Sequence, residues 1–179
     1  MIYLYYTGAK VADGAQQDIQ KSIGGYISSS VIPNARINGL FSDISLLGQE
    51  NNLPQTICIA VKNISNEDLN DFTLFADLST DPPLYEITAA FLKPTLDDCG
   101  GLFLEQLPSM NDQPYYGTFH DILKATHAVN TGILKKGEYL GIFITRKILS
   151  TDSGCTAVDF SNLSEDQLSE TVSLKFSWT

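Results

Sequence analysis

Two histidines and three cysteines, set among 21 aspartates and glutamates, are the residues of this 179-residue chain with the chemistry for a reactive site. His120 and His127 stand seven apart and would share one face of a helix, as a two-histidine metal site requires. No carboxylate or cysteine partner completes a metal set around them, so they read as surface residues. Asp97-Asp98, beside Cys99-Gly100-Gly101, has the composition of a cation-binding loop. The alternating-ligand spacing of such a loop is missing, and a solvated turn is the reading of the segment. Cys58 lies in the apolar run Ile57-Cys58-Ile59-Ala60-Val61 and reads as a small buried hydrophobe. The cysteine count is odd, the spacings are long and no Cys-x-x-Cys occurs, which excludes a zinc or redox motif of that kind. A bridge between Cys99 and Cys155 stays open, while reduced cysteines fit synthesis in a cytoplasm.

Gly24-Gly25 and Gly100-Gly101 do not follow a phosphate-loop pattern, and no Gly-x-Ser-x-Gly elbow appears. No serine or cysteine nucleophile lies near either histidine in sequence. The expectation is therefore a chain with no catalytic, cofactor-binding or metal residues, and not an enzyme. The one patch with a binding chemistry is Tyr115-Tyr116 near Asn111-Asp112, aromatic rings beside amide and carboxylate groups, as carbohydrate recognition uses.

Composition narrows the partners. Eleven basic residues against 21 acidic ones leave a net charge of −10. That balance opposes long-range attraction to a phosphate backbone, so no nucleic acid is expected. Charged residues are 18% of the chain, below the roughly 25% of an average domain. Serine, threonine, asparagine and glutamine fill the gap. Such a surface suits a protein packed against neighbours, and equally an ordinary soluble one. No stretch approaches the roughly 20 apolar residues of a membrane-spanning helix. The opening Met1-Ile2-Tyr3-Leu4-Tyr5-Tyr6 lacks the basic start of a secretory signal. No membrane partner is expected.

The elements that would position these groups are strands. Residues 2–7, 26–32, 55–64, 71–78, 85–92, 101–105, 139–149 and 171–178 are rich in β-branched and aromatic residues. Glycine, proline and asparagine punctuate them. Phe72, Leu74, Ala76 and Leu78 alternate, which predicts a strand buried on one face and joined to 55–63 as an antiparallel hairpin. Val172, Leu174, Phe176 and Trp178 alternate as strictly, which predicts a half-buried terminal strand, with Trp178 either in the core or exposed on the isolated chain and buried against a partner. Helical signals are few. Phe119, Ile122 and Leu123 predict a short helix over 119–125, and a Ser-x-x-Gln capping box predicts one turn at 162–167. Residues 8–22 are polar and without period, and predict an extended segment lying on a neighbouring subunit. The fold class expected is all-β: an antiparallel β-sandwich, immunoglobulin-like or jelly-roll-like, over residues 50–179, with residues 1–49 as an extended N-terminal arm or an added layer.

Two stretches carry a resemblance. The first is Leu4-Tyr5-Tyr6-Thr7-Gly8-Ala9-Lys10 with Gly24-Gly25-Tyr26-Ile27-Ser28-Ser29-Ser30-Val31-Ile32-Pro33-Asn34 and Leu40-Phe41-Ser42-Asp43-Ile44-Ser45. The second is Ile59-Ala60-Val61-Lys62-Asn63-Ile64-Ser65 with the run from Leu134 through Lys135-Lys136-Gly137-Glu138 to Arg146. Together they resemble small structural proteins of tailed-bacteriophage virions, especially those of crAss-like phages of gut bacteria. Phe143 stands where that family's pattern often has tryptophan. The resemblance touches most of the chain and carries over no functional residue. It implies a non-enzymatic virion part in the tail, baseplate or head–tail connector, assembled in the host cytoplasm against copies of itself and other virion proteins, without cofactor. The rival expectations are a capsid decoration or head-fibre protein, and a carbohydrate-binding sandwich for host recognition.

Overall fold

Gln55–Asn63 is apolar at consecutive rather than alternate positions, a pattern suited to a strand covered on both faces. In the computed structural model this strand lies near the middle of the larger of two sheets. The structure describes residues 1–8, 15–33, 40–41, 53–78, 85–148 and 172–179. In chain order the strands are β1 (Ile2–Gly8), β2 (Gly25–Val31), β3 (Gln55–Asn63), β4 (Thr73–Leu78), β5 (Tyr85–Leu92), β6 (Thr95–Leu96), β7 (Leu102–Leu104), β8 (His120–Asp121), β9 (Val129–Asn130), β10 (Tyr139–Ile148) and β11 (Val172–Ser177). Eight of them form one sheet in the order β6-β7-β2-β1-β3-β10-β5-β8, and β11-β4-β9 form a second. Every pairing between these strands is antiparallel. The all-β expectation holds in this form.

The two faces of the large sheet bury different things. Leu4, Tyr6, Ile57, Ile59, Val61, Ile87, Ala89, Ile142 and Ile144 point to the small sheet and share a core with its Leu74, Ala76 and Leu174 and with Phe72. Arg146 ends this inner row: its guanidinium lies between the rings of Phe41 and Tyr85, 4.8 and 5.1 Å from their centroids, and donates to Gln55 Oε1 at 2.7 Å. On the opposite face Cys58, Ala60, Ala90 and Phe143 form a second cluster, covered by Leu104 of β7 and by Leu107. Leu104 reaches β10 because the sheet curls. Gly141 makes room for it, since a Cβ there would stand 2.4 Å from Leu104 Cδ2.

Several expectations change. β3 and β4 are not a hairpin: β3 pairs with β1 and β10, and β4 with β11 and β9. The reason is burial. β3 is covered on both faces and takes a place between two neighbours, while β4 alternates buried and half-buried residues and covers the core from one side. The chain crosses between sheets at Leu69, which pairs with Leu134.

β1 and β2 are interior strands of the large sheet, so the division at 49/50 runs through one sheet. Residues 15–22 pack on their own chain: Cys58 N–H donates to Ser22 O at 2.6 Å, and Gln16 Nε2 to Thr7 O at 2.6 Å. Residues 9–14, and the turn expected at 162–167, lie outside the described residues. The short helix expected over 119–125 is replaced by β8, a bridge from Leu123 to Ala76, and a 3-10 turn at Ala125–His127. Trp178 lies beyond β11 and is 39% exposed, stacked on Phe72 at 6.2 Å, rather than in the core.

Candidate functional site

Strand register decides what the outward face of the large sheet presents. Going along it, the cross-strand rows are Lys62 with Tyr139, then Ala60, Gly141 and Leu92, then Cys58, Phe143 and Ala90. The next row is Thr56, Thr145, Thr88 and Asp121, and the last is Lys147 with Glu86. The face therefore changes from apolar to polar along the strands. The apolar rows lie under Leu104 and Leu107. Thr88, Asp121, Thr145, Glu86 and Lys147 of the polar rows form the floor of an open groove of about 650 Å³, with Pro54, Asn111, Asp112, Gln113 and Phe119 around it.

The groove is held in shape by bonds behind its lining groups. Thr145 is buried and its hydroxyl shares a 2.9 Å hydrogen bond with that of Thr56. Asp121 is fixed from two sides, accepting from Leu123 N–H at 2.8 Å and meeting His127 Nδ1 at 2.7 Å. The wall segment is pinned at both ends of its turn. Leu107 N–H donates to Ile23 O at 2.9 Å, and Thr56 N–H donates to Met110 O at 2.6 Å. Within the turn, Ser109 Oγ donates to Asp112 Oδ2 at 2.7 Å, and Asn111 N–H donates to Ser109 Oγ at 3.2 Å. Gly24 permits this docking: its φ is +96°, and a Cβ there would stand 1.9 Å from Glu105 O. Beyond the turn, Glu105 accepts from the N–H groups of Tyr115 and Tyr116 at 2.6 and 3.1 Å. The two rings meet edge to face at 4.9 Å and stand 84% and 71% exposed.

The other residues singled out in the sequence are accounted for structurally. His120 is exposed on β8 opposite Ala89, and only His127 of the two histidines meets Asp121. Asp97 organises the β6–β7 turn, accepting from Cys99 N–H at 3.0 Å and from Gly101 N–H on one oxygen, and from Tyr26 Oη–H at 2.6 Å on the other. The Tyr26 hydrogen bond, with those backbone donors, holds its carboxyl below the ordinary aspartate value. Cys58 is fully buried, and desolvation pushes its thiol far above the ordinary value. Cys99 is exposed. Cys155, and with it the possible bridge to Cys99, lies outside the described residues. Among the described residues no group of three or more His, Cys, Asp or Glu is placed to hold a metal ion. No helix among them is long and apolar enough to cross a membrane.

Asn111, Asp112 and the tyrosine pair were legible in the sequence as a patch. Glu86, Thr88, Asp121, Thr145 and Lys147 were not read as part of it. The available signal was the polar alternation at one end of two otherwise apolar strands, Glu86/Thr88 and Thr145/Lys147. Comparisons with protein-family models, with curated proteins and with solved structures return no match. The arrangement offers fixed hydroxyl, amide and carboxylate groups, with exposed rings on the segment that joins two of the lining residues, a chemistry of binding.

Proposed function

We propose that the chain is a non-enzymatic structural subunit of a bacteriophage virion, placed in the tail, the baseplate or the head–tail connector. It works through contacts with copies of itself and with other virion proteins, and uses no cofactor. Its two sheets are read as a β-sandwich of immunoglobulin-like or jelly-roll-like kind. The observation that carries this reading is a set of ordered aromatic rings turned to solvent. Tyr3, Tyr115, Tyr116 and Trp178 are exposed, and each rests on another ring: Tyr5 at 6.5 Å, the partner tyrosine at 4.9 Å, and Phe72 at 6.2 Å. Tyrosine and tryptophan are enriched in protein interfaces, where a rigid ring supplies contact area at low entropic cost. The resemblance of the two sequence stretches to tailed-phage structural proteins supplies the particle.

The test is the composition of purified particles from the source that encodes the chain. Mass spectrometry is expected to find it at a fixed copy number, and a particle map to place it below the capsid. Density on the capsid surface would favour a decoration or head-fibre role instead. Absence from purified particles would end the reading.

A further inference from the structure

The groove over β5, β8 and β10 carries a more specific inference, independent of where the chain sits in a particle. Its described lining residues set three carboxylates, Glu86, Asp112 and Asp121, against the single ammonium of Lys147. A phosphate, a sulfate or a carboxylated sugar would meet that negative excess at close range. A polycationic peptide would find acceptors, but would oppose Lys147 and leave the hydroxyl and amide donors without partners. A sugar hydroxyl both donates and accepts. It can therefore satisfy the Thr88 hydroxyl, the amides of Asn111 and Gln113, the carboxylates and the ammonium without a net charge of its own.

We propose that this groove binds a neutral oligosaccharide. Its hydroxyls lie over the threonine and carboxylate floor, and Phe119 lines the groove with an apolar surface for a sugar's C–H face. Tyr115 and Tyr116 carry two further exposed rings on the segment that joins the lining residues Gln113 and Phe119, their backbone fixed by Glu105. The wall turn is pinned to β3 and to Ile23, so little ordering entropy remains to be lost on binding.

The experiment uses the full chain on an array of neutral oligosaccharides built from hexoses and N-acetylhexosamines. Sialylated and sulfated glycans and lysine-rich peptides share the array. Retention of one or more neutral structures is expected, with no enrichment of the anionic ones. Calorimetry of the best neutral ligand then compares wild type with Thr88→Val and Gln113→Ala, which delete single groups of the lining. Each is expected to weaken binding about five- to tenfold while leaving the melting temperature within a degree or two. Tyr115→Ala, distant from the floor, is expected to weaken the same ligand. No binding to any neutral glycan at millimolar concentration would overturn the proposal. So would retention of anionic glycans or peptides alone, or binding that all three variants leave unchanged. None of these outcomes bears on the presence of the chain in particles, so this inference and the virion reading can fail separately.

Discussion

Single residues in this chain carry structural tasks that their types alone do not announce. Gly24 has a positive φ and no room for a Cβ against the Glu105 carbonyl. Gly24→Ala should therefore cost about 1–3 kcal/mol from backbone strain alone, with displacement of the wall segment in addition. Urea denaturation checks it, and an unchanged midpoint would contradict the close approach. Asp97 makes a different kind of contribution. Its folded pKa lies below the unfolded value of about 3.9, so the stability it supplies is present above that value. That stability is lost as pH falls through the folded pKa. Tyr26→Phe removes the hydrogen bond that does most to lower it. It should flatten the fall in stability between pH 5 and pH 2, roughly the span in which a depressed carboxylate titrates. Melting curves of the two proteins across that range make the measurement.

At the scale of elements, which residues form strands was plain, and their partners were not. β5, β10 and β11 fall where alternation and β-branched composition place them, to within a residue or two. The β3–β4 hairpin expectation failed because proximity in sequence is a weaker constraint than burial. β3 is apolar on both faces: β1 and β10 pair its two edges, the small sheet with β4 covers one face, and Leu104 and Leu107 cover the other. That demand for cover explains the curl that brings Leu104 over Gly141. Gly141→Ala should destabilise by about 1–3 kcal/mol through overpacking. Leu104→Ala alone should cost about 2–5 kcal/mol through the cavity it leaves. The double variant should be less destabilised than the two effects added, because the methyl occupies part of that cavity. Strict additivity in a denaturation cycle would show that the two positions do not touch.

For the whole molecule, the expected boundary between residues 49 and 50 gives way to a sheet that uses residues from both sides of it. β1 pairs with β3, so residues 2–5 and 60–63 stabilise each other. Trp178 shows the consequence of a second, smaller sheet. It lies past the last paired residue of β11 and stacks on Phe72 at the margin, while Thr179 exchanges both backbone hydrogen bonds with Asn70. Being 39% exposed, Trp178 loses less on truncation than a core aromatic would. Trp178→Ala should cost about 1–2 kcal/mol in the isolated chain, in place of the 3–5 kcal/mol of a fully buried ring. Thermal melting measures that loss, and a particle-assembly assay on the same variant should show a larger defect if the ring also meets a partner. A loss near 4 kcal/mol in isolation would place the ring in the core after all.

The sequence by itself determined the all-β class and the strands with strong alternation, while the place of β3 in the middle of the large sheet came from the structure. The class and the alternation are local: a period of two and β-branched composition are written in neighbouring residues. The sequence also marked Asn111, Asp112 and the tyrosine pair, because they are close together in the chain. Only the tertiary structure decided which sheet each strand joins and what the groove contains. Thr56, Thr88, Asp121 and Thr145 come from four strands, and nothing local aligns them. Their row exists because antiparallel register places them opposite one another. Register is set by which faces must be buried along the full length of each strand, a requirement that only the assembled core can express.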